Sequence, residues 1–445
     1  MATDVNIAII GAGSASFSAG LVRDICVNTG LHGSHVTFMD IDERRLDMIA
    51  RLAERLSGEL NAALSFSKTT VRAQALQGAD FVINTAQVGG HDWVEAQRSL
   101  GEKHGYYRGA GLHAFGQMAF FLDVARDVEH ACPNAWLIQC ANPVFEGCTL
   151  MTRETNTKVL GLCHGHYGYL RVAGVLGLDA EHVTAQMPGF NHWIWLTDFR
   201  CKGEDAYPLL DEWIETKAEH YWAKDDRTYS DNQMSRAAIH HYQLFGLLPI
   251  GDTPRQVGWW YHTGLETKQR WFGRLGGFDS EIGWGQYLEN QSRRVREIAR
   301  AARDESRPVS ETFKPVQSRE QIVPIINALV NDVEGLFQVN IPNQGQIIQG
   351  FPEDLVVECQ GVVNGAGIRG VAVAPLPRKL MVGAMMPRWS KAERMVEAMR
   401  SHDRDMLLLY LLEDPRTQSL EQAQSLVDEW LAEPRNQDLA RLFGV

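Results

Sequence analysis

Two short segments combine residue types that can do chemistry together: Gly161-Leu162-Cys163-His164-Gly165-His166 and Gly189-Phe190-Asn191-His192. Each places a metal-capable side chain at a glycine-bearing turn. The thiolate of Cys163 and the imidazole of His192 can hold one divalent ion between them, with substrate oxygens completing its coordination. A Cys–His pair taken alone is more often plain packing than a metal site. Near the start, Ile7-Ala8-Ile9-Ile10-Gly11-Ala12-Gly13-Ser14 sets two glycines between a strand and a helix. Glycine permits the tight turn and a close backbone approach to a pyrophosphate, and the helix N-terminus offers free N–H groups. The third glycine of the full fingerprint is replaced by Ser16. Asp40 closes the second apolar run, where a carboxylate accepts from ribose hydroxyls and repels a 2′-phosphate; this predicts NAD rather than NADP. Gly11, Gly13, Ser14, Ser16, Asp40 and Asn142 form the expected cofactor site. A nicotinamide and a metal on one chain allow oxidation of a bound alcohol.

The elements around these residues alternate. Strands are expected at Val5 to Ile10, Val36 to Met39, Phe81 to Ile83, Ala135 to Gln139 and Val159 to Leu162. Helices are expected from about Phe17, over Asp42 to Leu60 and over Phe115 to Glu129. The pattern predicts an α/β fold opening with a Rossmann-like, doubly wound parallel sheet. Beyond Gly165 helical segments dominate: Leu209 to Trp222, Tyr287 to Arg303, Ile322 to Asn331, Trp389 to Tyr410 and Leu420 to Trp430. Strand candidates there are Phe337 to Val339 and Leu355 to Cys359. The expected division is therefore an NAD-binding domain over 1–165 and a mainly helical α+β domain over 166–445, for substrate, metal and self-association, with the site between them.

The 445 residues exceed one ordinary core. A formal charge of −12 argues against nucleic acid or an anionic membrane as partner. No apolar run approaches the roughly 20 residues of a membrane span. The seven scattered cysteines suit reduced thiols, and the start shows no secretory pattern, so a cytoplasmic location is expected. Twelve tryptophans suit either sugar platforms or packing.

The GxGS turn, Asn142-Pro143, Cys163-His164-Gly165 and Gly189-Phe190-Asn191-His192 occur in the order seen in glycoside hydrolase family 4, which the chain resembles over about residues 5–380. Asn340-Ile341-Pro342-Asn343 and Phe351-Pro352-Glu353-Asp354-Leu355-Val356-Val357-Glu358 belong to the same pattern. The resemblance implies a glycosidase that depends on NAD and a divalent metal, manganese by family habit, and that forms a homodimer or homotetramer. It implies hydrolysis by transient oxidation at sugar C3, loss of the C2 proton and elimination at C1, a departure from two-carboxylate glycosidases. The Cys-His-Gly form is similar to the branch acting on α-linked hexuronides, galacturonides or glucuronides, and disfavours 6-phosphosugars. One departure is Gln87 before Val88-Gly89-Gly90, where commoner members carry arginine.

The resemblance also implies roles. Cys163 and His192 would hold the metal, and Asn142 and Asn191 would meet substrate. His164 is the candidate acid, with support of Cys163 as the alternative role. Asp252 is the candidate base, in Gly251-Asp252-Thr253-Pro254-Arg255, and Tyr261 is the second. A uronide carboxylate needs cations or donors, for which Arg255, Arg108, His113 and His166 are the candidates. Other readings stay open: a glycosidase for a sulfoquinovoside or a neutral α-glucoside or α-galactoside, a net hydroxy-acid dehydrogenase, and an NAD-binding module without chemistry.

Overall fold

The computed structural model describes residues 4–14, 17–224 and 233–444. Six parallel strands form its first half: β1 (Asn6–Ile10), β2 (His35–Met39), β3 (Ser65–Thr69), β4 (Phe81–Asn84), β5 (Trp136–Gln139) and β6 (Lys158–Gly161). Their order is β3-β2-β1-β4-β5-β6. The central strands read as unbroken apolar runs because helices cover both faces: Ile7, Ile9, Val82 and Leu137 are all buried. The helix Glu43–Leu60 begins where the Asp42 carboxylate accepts from the N–H groups of Arg44 and Arg45, and it ends at Asn61 in the left-handed region. Strand order reverses between β1 and β4. The carboxyl ends diverge there and leave a crevice, the usual ligand position of such sheets.

The sheet does not stop at β6. Antiparallel strands from the second half extend it to twelve: β8 (Gly189–Phe190), β9 (Trp193–Leu196), β12 (Leu248–Ile250), β13 (Gly335–Pro342), β14 (Val356–Asn364) and β15 (Gly367–Gly370). β13 joins β6 through the pair Asn340 and Gly161, and then carries β14, β8, β9 and β12 in turn. A separate small sheet holds β7 (Val183–Gln186), β10 (Asp198–Cys201) and β11 (Glu204–Asp205). Most of these strands span two to four residues, too few to show a period of two in sequence. The expected helix Trp389 to Tyr410 is two helices, Met386–Ser401 and Arg404–Leu412. His402 turns into the left-handed region, and Asp403 caps the second by accepting from Asp405 N–H. The expected Leu209 to Trp222 is likewise split, into Tyr207–Thr216 and Ala218–Ala223. No helix among the described residues is long and apolar enough to cross a membrane.

The C-terminal helices return to pack on the helix His113–Ala131, around Phe115, Tyr410 and Trp430. Asp414 anchors this junction. Its buried carboxylate accepts from Nε and Nη2 of Arg416, each at 2.7 Å, and from Lys391 Nζ at 3.1 Å. Arg416 also donates to the carbonyls of Tyr107 and Gly109. Burial pushes the Asp414 carboxyl up, but Arg416 and Lys391 outweigh it and hold the group well below the usual carboxylate range. We expect Asp414→Asn to cost about 3 kcal/mol at neutral pH, because it leaves the largely buried Arg416 and the half-buried Lys391 without their carboxylate. The folded pKa is depressed. The contribution is therefore complete above the unfolded carboxylate pKa of about 4 and is lost as pH falls toward the folded value. Urea unfolding at pH 7 and at pH 3 should show the wild-type advantage shrinking; an equal gap at both would remove the ion pair as its source.

Candidate active site

The loop after β6 carries Cys163 and His164 to the carboxyl edge of the sheet. Two other loops meet it there. Asn191 and His192 form the two-residue connection between β8 and β9, with His192 in the left-handed region at φ 62°. β12 pairs with β9, so the loop that follows it, Gly251-Asp252, lies beside His192. Thr253 fixes the register, its hydroxyl accepting from Ile194 N–H and donating to Ile194 C=O. Gly251 is required by closeness: a Cβ there would fall 2.7 Å from the Gly165 carbonyl oxygen, and its φ is +66°. This backbone contact is what draws Asp252 up to the Cys163 loop.

Ser14, Asn142, Cys163, His164, His192 and Asp252 thus line one cleft of about 1220 Å³, with Arg255 and His166. His192 Nε2 lies 3.3 Å from Asp252 Oδ2. Burial opposes the charged form of Asp252, yet Arg255 and His192 overcome it, and the carboxyl lies well below its usual range. Burial lowers the pKa of His192 and favours the neutral imidazole that a metal needs. Burial, with the charges of Glu358 and Asp252, pushes the Cys163 thiol up to about 12. Glu320, whose Oε1 lies 3.4 Å from Nδ1 of the exposed His164 ring, raises the pKa of His164 and shifts it toward the protonated form that a proton donor requires.

The dinucleotide turn sits at the same edge. A Cβ on Gly11 would stand 2.6 Å from the Ala86 backbone, and its φ is +80°, so only glycine fits this crossing of the turn and the loop after β4. Gly13 N–H donates to Asp40 Oδ2 at 2.8 Å, while Asp40 Oδ1 accepts from Asp42 N–H. Each carboxylate oxygen keeps a lone pair for a ribose hydroxyl. Ser16 lies outside the described residues.

Other expected residues lie elsewhere. Tyr261 is fully buried, with its hydroxyl 2.6 Å from His240 Nδ1 and its ring against Trp271 and Phe272. It does not line the cleft. Its aromatic segment folds into a small core instead. Asn191 is buried behind His192 and donates to Glu358 Oε2 at 3.0 Å. His113 opens its helix away from the cleft lining. Arg108 and Arg255 both face Asp279, at 3.1 and 3.2 Å, and His166 Nδ1 is 3.1 Å from the Cys163 carbonyl oxygen. Residues that the sequence did not single out are Glu320, Arg294, Asp279 and, in its supporting position, Glu358. Glu358 stood in a recognised motif, but only the pairing of β14 with β8 shows that it backs Asn191.

Residues 6–177 match the family model described as family 4 glycosyl hydrolase, and residues 187–417 match that of the family's C-terminal domain. The chain belongs to this family. Among glycosyl hydrolases of family 4, an α-galacturonidase of Thermoanaerobacterium saccharolyticum is 25% identical over 96% of this chain and 95% of its own. An α-glucosidase of Erwinia rhapontici is 26% identical over 95% of this chain and 96% of its own. A solved 6-phospho-α-glucosidase from gut microorganisms, in complex with NAD and Mn2+, shares the fold. Its TM-score is 0.78 at 18% identity, over 96% of this chain and 98% of that one.

Proposed function

We propose that this family 4 glycosidase hydrolyses α-linked hexuronides, galacturonides foremost, and requires NAD and a divalent cation, manganese. The observation that carries this reading is the convergence of Cys163, His192, Asp252 and His164 with the dinucleotide turn around one cleft. The galacturonidase relative and the Cys163-His164-Gly165 segment support the sugar class.

The residues present fit both groups. The Gly11 crossing and the carboxylate of Asp40 suit the phosphate and ribose of a dinucleotide. Cys163 and His192 would hold the cation, whose charge would offset the burial and the field of Glu358 and Asp252 that together hold the thiol pKa up. Once bound, the nicotinamide would take up and return the C3 hydride, and the cation would polarise the C3 oxygen as a Lewis acid. Asp252, held anionic by Arg255, accepts the proton from sugar C2. His164, shifted toward its protonated form by Glu320, donates to the glycosidic oxygen as it leaves C1, and water then adds at C1 of the resulting C1–C2 alkene while C2 takes a proton back, before the hydride returns to C3. Asn142 lines the same cleft, where it would meet the cofactor and the sugar.

Arg108 and Arg255 are committed to carboxylates of the protein itself, and among the other arginines of the cleft, Arg23, Arg171, Arg293 and Arg294, we assign the substrate carboxylate to Arg294 for its nearness to His164. It lines the cleft from the helix Glu281–Arg303, and its charge is felt at His164. The α-glucosidase relative favours a second reading, a neutral α-glucoside. The test is release of phenol from aryl α-galacturonide, α-glucuronide and α-glucoside, with NAD and Mn2+ each added or withheld. The proposal expects turnover of the galacturonide only with both, and no net NADH. Accumulating NADH would make the protein a dehydrogenase instead; preference for the glucoside would select the second reading. We further propose that residues 1–165 and 166–445 divide cofactor from substrate duties and that the enzyme works as a homodimer or homotetramer, which sedimentation would check.

A further inference from the structure

Behind Asp252 and Arg255 lie two further, largely buried charges, Asp279 and Arg108, that the chemistry above does not use. Arg255 Nε donates to Asp252 Oδ1 at 2.9 Å, while Arg255 Nη1 donates to both oxygens of Asp279, at 3.2 and 3.3 Å. The guanidinium lies 4.6 Å above the centre of the Phe278 ring. Arg108 closes the set from the first half of the chain. Its Nη2 is 3.1 Å from Asp279 Oδ2, and its Nη1 donates to the Arg255 carbonyl at 2.9 Å. Asp279 is 12% exposed and does not line the cleft.

We propose that Asp279 is a positioning residue for hydrolysis, acting through Arg255 to aim the carboxylate of Asp252. This rests on Asp252 being the base. The geometry gives the reason. Asp252 has one oxygen on Arg255 and the other facing His192, so the rotation of Arg255 fixes which oxygen enters the cleft. Arg255 is held at Nε, at Nη1 and on its face; Asp279 supplies the Nη1 contact and is also the anion standing between two guanidinium groups. Without its negative charge, Arg108 and Arg255 repel, and Arg255 swings with Asp252 attached. Removing the Asp279 charge leaves two guanidinium groups facing each other, so it also costs stability. A displacement of about 1 Å at a reacting group can cost about 100-fold in rate. The two effects separate in kinetics, because loss of folded protein lowers the active fraction while misplacement lowers kcat of the folded enzyme.

The experiment is a double-mutant cycle on the full enzyme with NAD and Mn2+, using whichever aryl glycoside the wild type cleaves best. Asp279→Asn should lower kcat about 10- to 100-fold with KM changed less than about two-fold. Added to Asp252→Asn, it should lower the residual rate by less than about two-fold, since its route of action is already gone. Equal losses in both backgrounds, or an unchanged kcat, overturn the proposal. If Asp252→Asn itself is fully active, the base assignment fails, whatever Asp279 does. If Asp279→Asn does not fold, the charge-balanced Arg108→Gln/Asp279→Asn enzyme takes its place in the cycle. Failure of that protein to fold would make Asp279 a stability residue and end the idea.

Discussion

Asp252→Asn should lower hydrolysis by about 100- to 10,000-fold, the range expected when a positioned proton acceptor is removed. The amide keeps the shape of the carboxylate and its oxygen still accepts from Arg255, so the loop stays in place. What disappears is the basic oxygen 3.3 Å from His192. The decisive readout is isotopic. Wild-type turnover in heavy water should place deuterium at C2 of the product sugar, and the variant should place none, while NAD binding is retained because the Gly11 and Asp40 region is untouched. Normal deuterium at C2 would remove Asp252 as the base. Tyr261 would not replace it, since its hydroxyl is engaged with His240 inside a small aromatic core.

Cys163→Ser should be the other large effect. An alcohol is a far poorer ligand than a thiolate, so at limiting Mn2+ activity should fall at least about 100-fold and recover partly as the cation is raised. The substitution is nearly isosteric, and thermal unfolding should move little. A manganese titration of activity reads the result directly. Curves that superimpose for the two proteins would exclude Cys163 as a ligand. Asn191 offers a contrast: it lies behind the site with Glu358 and Cys163 as its partners, so its replacement should act through the Cys163 thiolate rather than through sugar contacts.

Much of the first half was legible because its signals are local. The runs at Ile7 to Ile10 and Phe81 to Ile83 are strands, and Asp42 caps the helix that its position announced. The helix Ile322–Asn331 has the bounds its periodicity suggested. The break at His402 was hidden because apolar residues continue on both sides of it, and only the left-handed backbone ends the helix. The strands β8, β9 and β12 were illegible because two to four residues carry no pattern; their partners, far away in the chain, make them strands. The cationic residues were misleading for a similar reason. Arg108 and Arg255 read as anion receptors by type, but whether a guanidinium is available depends on the nearest carboxylate. Asp279 supplies that carboxylate across the fold.

The sequence by itself determined the parallel sheet, the glycine turn that suits a dinucleotide, and the loops bearing Cys163 and His192. These follow from hydrophobic period, from glycine's freedom at positive φ and from side-chain type, all encoded within a few residues. Only the tertiary structure decided which groups share the cleft. Antiparallel pairing of β8, β9, β12 and β14 brings Asp252 to His192 and Glu358 to Asn191, and close packing of Gly251 on Gly165 closes the gap to Cys163. Those contacts join residues far apart in the chain, and their energies depend on distances and burial that no local pattern records.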